Sequence, residues 1–290
     1  MDSALTTIGL PIALGIIMFG LGLDLCIEDF KRVGRNPKAA AIALTCQLLL
    51  LPAICFGLIL ALDLPALLGI GMMLLAASPG GTTAALFSHL FRGDVALNIS
   101  LTAINTVVAI LTLPLITGIA INHFGEDVDV SLPLGELLNV FALILIPVGL
   151  GMLVKAKAPG FAARMDKTVR IASAVILAIL ILGVIISERD NITDYLAKIG
   201  LAAALFCAIS LLIGYFVPKA LGVPGPQAIA SSMEIGVHNS TLAIVVAVEV
   251  MDSVEISIPA AVYSLIMFVF AALWGKWVSS REVQRVTQPA

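Results

Sequence analysis

Charge is scarce in this chain. Only 12% of its 290 residues are Asp, Glu, Lys or Arg, against about 25% in a typical soluble domain. A chain this poor in charge, and 60% hydrophobic, argues against a soluble enzyme. No basic patch with interleaved aromatics is present, which argues against nucleic acid as a partner. The four cysteines, Cys26, Cys46, Cys55 and Cys207, make no CxxC pair and no Cys/His metal spacing. They read as reduced, apolar packing residues. The amino terminus, "MDSALTTIGLPIALGIIMFGLGL", has no basic region of the kind that opens a secretory signal and carries Asp2 instead. It reads as a retained first span.

What the chain does have is apolar length. Its mean hydropathy is +1.10, and the apolar residues fall in nine blocks, roughly 4–25, 38–61, 66–91, 95–121, 133–155, 169–187, 195–218, 225–249 and 254–278. Each approximates the ~20 residues that a helix needs to cross about 30 Å of hydrocarbon. The expected fold is an all-α polytopic membrane protein of nine transmembrane helices.

The charged loops alternate in sign. Lys31, Arg32, Arg35 and Lys38, then Arg92, then Lys155, Lys157, Arg164, Lys167 and Arg170, then Lys219, then Lys276, Arg281 and Arg285 fall on one side. Asp63, then Glu126, Asp127 and Asp129, then Glu188, Asp190 and Asp194, then Glu249, Asp252 and Glu255 fall on the other. Of the 16 Lys and Arg, only Arg189 and Lys198 break the pattern. Positive loops stay in the cytoplasm, which predicts a cell-membrane protein with its amino terminus outside and its carboxyl terminus, including a tail at 280–290, inside.

Two blocks are interrupted. The third carries "SPGG" within "AASPGGTTAALF", and the eighth carries "SSMEIGVHNST". Unpaired backbone N–H and C=O groups are costly in hydrocarbon, so such breaks persist only inside protein or along a wet cavity. Carriers use them as sites: a half-helix N-terminus faces an anion and a half-helix C-terminus faces a cation. The breaks lie five blocks apart, so their helices cross in opposite senses. That spacing predicts an inverted repeat, four spans over about 1–121 and five over about 133–279.

Glu234 is the one acidic residue near the middle of a block. An ionised carboxylate there costs roughly 2.5 kcal/mol or more, and no Lys or Arg lies at comparable depth. Its partner is then a cation, a proton, or a donor such as His238 or Asn239. Oxygen ligands for a hard cation lie within reach of the breaks. Gln47 sits mid-block, and Asn98, Thr102 and Asn105 share one helix face by their i, i+4, i+7 spacing. His89 reads as interfacial and His123 as solvated in an outer loop.

Three stretches, "LGIIMFGLGLDLCIEDFKRVGRNPK", "SPGGTTAALFSHLFRGDVALNISLTAINT" and "MEIGVHNSTLA", together resemble the bile acid:sodium symporter family, and do so over nearly the whole chain. The "PGGT" and "EIG-x-x-NS" signatures at the two breaks carry the likeness. The resemblance implies a panel domain, a core domain with two crossing discontinuous helices, and sodium-coupled uptake of a small organic anion. It puts one sodium around Gln47, Glu234, the carbonyls of Ile235 and Val237, and His238. It puts another around Glu234, positions 84 and 85, Asn98 and Thr102. Substrate would meet the half-helix starts at Thr82, Thr83, His238, Asn239 and Ser240. Two departures stand out: Ala84 and Ala85 replace the family's usual Ser-Asn, and His238 replaces Gln. They leave coupling to one Na+, two Na+ or H+ open, and a proton-coupled or uncoupled organic anion carrier is the runner-up. No cofactor is expected beyond the coupling ion; the expected partners are the organic anion, Na+ or H+, and the bilayer, and the sequence is silent on oligomeric state.

An intramembrane hydrolase is the rival class. An aspartyl type needs two deep carboxylates, and Ser240 with His238 two residues away does not place a base opposite a nucleophile in a helix.

Overall fold

The structure is a computed structural model that describes residues 10–34, 37–125, 133–187 and 192–287. The expected span start at 4–9 and the loop residues Arg35, Glu126, Asp127, Asp129, Glu188, Arg189 and Asp190 lie outside the described residues.

Helices fill the apolar blocks. In chain order they are α1 (Leu10–Asp24), α2 (Ile27–Val33), α3 (Pro37–Thr45), α4 (Leu51–Ala61), α5 (Ala66–Ala77), α6 (Thr82–Leu90), α7 (Val95–Phe124), α8 (Leu134–Lys157), α9 (Pro159–Ser187), α10 (Ile192–Ala220), α11 (Gly225–Gly236), α12 (Ser240–Val245) and α13 (Val254–Thr287). Among the described residues, four helical stretches are long and apolar enough to cross a membrane unbroken: Pro37–Ala61, Val95–Phe124, Ile199–Ala220 and Val254–Glu282. The protein is thus all-helical and polytopic. Helix α13 continues through Thr287, so the expected tail begins as helix.

Helix α2 was not anticipated from the sequence. It is a short, charge-rich element whose acidic first turn holds Glu28 and Asp29. The Asp29 carboxylate accepts from the Cys26 N–H at 2.7 Å, which caps an otherwise open helix start.

Two wide turns modify the spans. Cys46–Leu50 is π-helical and joins α3 to α4, and Leu51 N–H donates five residues back to the Cys46 carbonyl. Pro52 follows at once and has no N–H of its own to continue the regular ladder. Val246–Val250 is the second π segment and extends α12.

Packing separates the helices into two groups. Helices α1, α8 and α9 pack chiefly on one another. Gly22 lies against the Val148 backbone and Gly151 against that of Phe19 and Gly22, where any Cβ would collide. Glycine at both positions lets α1 and α8 cross at backbone contact, the packing that holds helices together where lipid removes the hydrophobic drive. The remaining helices form a second body. The first group meets it mainly at α12 with its π extension, and along α13. Exposed aliphatics such as Leu111, Ile179 and Leu273 line the outer surface of both groups, as expected for faces turned to lipid.

Candidate functional site

The site starts from two proline- and glycine-driven interruptions. Ser78 precedes Pro79 and is extended (φ −70°, ψ 141°), the conformation that a following proline imposes. Gly81 is extended as well (φ −85°, ψ 160°) before α6 begins at Thr82. On the other strand of chain, α11 stops at Gly236, and Asn239 starts α12 by accepting from Leu242 N–H through its side chain at 3.1 Å.

The two interruptions pair with each other. Gly81 N–H donates to the Val237 carbonyl at 2.7 Å, and Asn239 N–H donates to the Pro79 carbonyl at 2.8 Å. Gly80 and His238 thereby form the one antiparallel bridge among the described residues. Backbone groups that each break would leave bare are satisfied by the other, which removes a cost of several kcal/mol per group in hydrocarbon. The discontinuous spans therefore cross in contact, with two helix C-termini (α5 and α11) and two helix N-termini (α6 and α12) meeting at one place.

Glu234 is fully buried beside this crossing. Its Oε2 accepts from the Thr102 hydroxyl at 2.6 Å and its Oε1 from the Asn105 amide at 3.1 Å. The Gly80 backbone lies against the same carboxylate, and a Cβ there would overlap it. The expected donors His238 and Asn239 do not serve it. The bridge commits Asn239 to capping α12 and turns His238 to the other side, so the donors come from α7 and the first break instead.

Helix α7 presents the expected face. Asn98 donates to the Ala230 carbonyl at 3.0 Å, one turn before Glu234. Its Oδ1, and that of Asn105, have no partner among the described residues. Ala84 is fully buried on α6 and Ala85 partly so. Neither side chain offers an oxygen there.

A second pair of side chains meets at Ser78. The Gln47 amide donates to the Ser78 carbonyl at 3.1 Å, and His238 Nδ1 lies 3.2 Å from the same oxygen. A carbonyl only accepts, so Nδ1 carries a proton, and in the neutral ring Nε2 then carries the lone pair. Gln47 Oε1 and His238 Nε2 are both buried without a partner among the described residues. The His238 ring is clamped between Phe206, stacked at 5.5 Å, and Tyr263, edge-on at 5.4 Å. Tyr263 also donates to the Gly236 carbonyl at 2.9 Å, at the end of α11.

Of the other expected residues, Ile235 and Val237 are buried at the α11 terminus, with the Val237 carbonyl engaged by Gly81. Ser240 Oγ is buried and unpartnered among the described residues. Thr83 is half-buried and Thr82 is the first residue of α6. His89 is exposed in the last turn of α6. His123 is exposed but belongs to the last turn of α7 rather than to a loop, its ring 5.0 Å from Phe56. Sequence reasoning placed Gly80 in the first break without its contact to Glu234, and missed Phe206 and Tyr263 as parts of the site. The second glycine-rich position was visible in "SPGG", whereas nothing in the pattern of α10 or α13 distinguishes Phe206 or Tyr263 from ordinary core.

The donor set is one carboxylate with neutral amide, hydroxyl and carbonyl oxygens and one imidazole. Among the described residues, no group of three or more His, Cys, Asp or Glu is placed to hold a metal ion. Oxygen-rich sites of this kind suit hard cations.

Residues 11–195 match the model of the Sodium Bile acid symporter family. The chain belongs to that family. Its curated relatives include an uncharacterized sodium-dependent transporter, YocS, of Bacillus subtilis, 28% identical over 94% of this chain and 85% of the relative. A probable sodium/metabolite cotransporter, BASS2, chloroplastic, of Oryza sativa is 26% identical over 90% of this chain and 61% of the relative. The human P3 protein is 32% identical over 78% of this chain and 47% of its own length. The chain thus spans most of the bacterial relative and about half to three fifths of the other two. Membership makes this a transporter rather than an enzyme.

Proposed function

We propose that this protein is a secondary active transporter that carries a small organic anion into the cell together with Na+. It works by alternating access, with nine spans in an inverted 4+5 repeat, its amino terminus outside and its carboxyl terminus cytoplasmic. The observation that carries this reading is the set of buried, unpartnered acceptor atoms around the crossing: Gln47 Oε1, His238 Nε2, Asn98 Oδ1 and Asn105 Oδ1. Leaving such atoms unpaired costs about 1–3 kcal/mol each; they lie in two places, Gln47 and His238 at Ser78 and Asn98 and Asn105 beside Glu234, and each offers a lone pair to a hard cation.

In this mechanism Na+ binds between Gln47, His238, Glu234 and the carbonyls of Ile235 and Val237, at the negative ends of α5 and α11. It neutralises Glu234 and fixes the bridge between the two breaks. The positive ends of α6 and α12, at Thr82–Thr83 and Asn239–Ser240, then hold the anionic group of the substrate through backbone N–H groups. No Arg lies at this depth to do so. The α1–α8–α9 group acts as the panel against which the other helices move. At the second cation position, Asn98 and Thr102 remain while Ala84 and Ala85 contribute no side-chain oxygen. This departure favours one coupling ion over two, Na+ or, through Glu234 and His238, H+.

Proteoliposomes loaded with buffer test this. An inward Na+ gradient should drive accumulation of an accepted organic acid, and Glu234→Gln should abolish it. Uptake driven by a pH gradient alone, indifferent to Na+, would replace the coupling ion with H+. Failure of every gradient would remove the carrier reading.

A further inference from the structure

We infer that the exposed ridge of α13 from Leu265 to Arg281 seats an anionic phospholipid of the surrounding leaflet. Leu265, Val269, Leu273, Trp277 and Arg281 follow one another at i, i+4 spacing, so neighbouring side chains touch along a single ridge. All five are exposed, Leu273 to 67%. The chemistry changes in one direction along this ridge: three aliphatic residues, then an amphipathic indole, then a guanidinium. Lys276 is exposed beside it and adds a second positive charge. That order matches a phospholipid read from acyl chain through the ester region to the phosphate.

The length fits as well. Sixteen residues of helix rise about 24 Å, close to the ~20–22 Å of one leaflet with its headgroups. At the polar end, the Arg281 guanidinium lies over the Trp277 ring, 4.1 Å from its centroid, and Trp277 stacks on Trp274 at 4.9 Å. The stack holds the planar cation in place while leaving its N–H edge open to a phosphate. The carboxylate of the adjoining residue, Glu282, pairs with Lys219 at 2.9 Å and accepts from the Tyr215 hydroxyl at 2.5 Å. It is therefore turned toward α10, and the ridge keeps its positive charge. Trp274 also reaches inward and donates to Ser232 at 2.9 Å on α11, so a lipid bound here contacts the helix that carries Glu234 through two stacked rings.

Trp274 and Trp277 are the two tryptophans of the chain, so the emission of the full-length protein in detergent reports on this site alone. Phosphatidylglycerol in mixed micelles should shift that emission saturably, and phosphatidylcholine with the same chains should not. Native mass spectrometry should show the same preference among retained lipids. Lys276→Gln and Arg281→Gln should each lower the preference roughly fivefold without changing the melting temperature. If Arg281→Gln loses its fold, Lys276→Gln supplies the test alone. Equal response to both lipids, or unchanged preference in the folded variants, overturns the proposal. So does an equal shift with inorganic phosphate, which would mark a free-anion site, or a dimer that Leu273→Arg dissociates, which would mark a second copy as the occupant.

Discussion

Gly80 and His238 face each other across an antiparallel bridge, one from each interrupted span. Behind Gly80 sits the Glu234 carboxylate, close enough that no side chain could occupy the position. One glycine thus connects the backbone pairing of the breaks to the buried charge. Gly80→Ala should force the carboxylate and the bridge apart. Overpacking of this kind costs about 1–3 kcal/mol. The expected result is a lowered melting temperature and Na+-driven uptake reduced more than tenfold, read on protein that still inserts. Normal uptake would show that the close approach has no role.

The two α7 donors should differ from a general packing contribution. Thr102→Val keeps shape and removes the hydroxyl that Glu234 Oε2 accepts. It should destabilise the protein by about 1–3 kcal/mol, and added Na+ should restore part of the loss. Asn105→Asp places a second carboxylate beside the first. Its folding should then depend on cation, with a steeper rise of melting temperature on Na+ addition than in the wild type. A variant indifferent to Na+ would count against a cation at this position.

Substitution at His238 separates ligation from clamping. Gln can still donate to the Ser78 carbonyl and offers an oxygen where the imidazole offers a nitrogen lone pair. His238→Gln should lower the Na+ concentration for half-maximal effect, since an amide oxygen suits a hard cation better. His238→Ala loses the Ser78 contact and the stacking on Phe206, and should weaken both stability and Na+ response. Identical Na+ dependence in wild type and the Gln variant would remove position 238 from the cation site.

Gln47 supplies a matched control on the opposite span. Gln47→Leu fills the same space but removes the amide that bonds Ser78 and the unpartnered Oε1. Protein stability in Na+-free buffer should change little, because the orphan acceptor goes with its amide donor. The Na+-induced gain in melting temperature should be lost. A retained gain would place the ion elsewhere.

Much of this site was legible in the sequence because the bilayer restricts what a chain can do. Pro79, Gly80 and Gly81 in an apolar block admit no regular helix, and Glu234 without a basic neighbour requires a sheltered partner. The face shared by Asn98, Thr102 and Asn105 follows from helical spacing, and two of the three bond Glu234 directly. What the sequence could not supply was partnership across long separations. His238 and Asn239 adjoin Glu234 in the chain, yet the antiparallel bridge turns them away from it and brings α7 instead. The roles of Phe206 and Tyr263 were hidden because a core aromatic and a clamping aromatic have the same pattern. Helix α2 was hidden because seven mostly charged residues between spans look like loop.

The central claim is that the crossing binds Na+ through Glu234. A thermal-shift titration of the detergent-purified protein tests it, with NaCl replaced by choline chloride at constant ionic strength. A ligand that binds only the folded state raises its stability by about 2.7 kcal/mol at a hundred times its dissociation constant. The predicted result is a saturable rise in melting temperature with Na+ in the wild type and none in Glu234→Gln. A flat response in the wild type, or the same rise in Glu234→Gln, would contradict it.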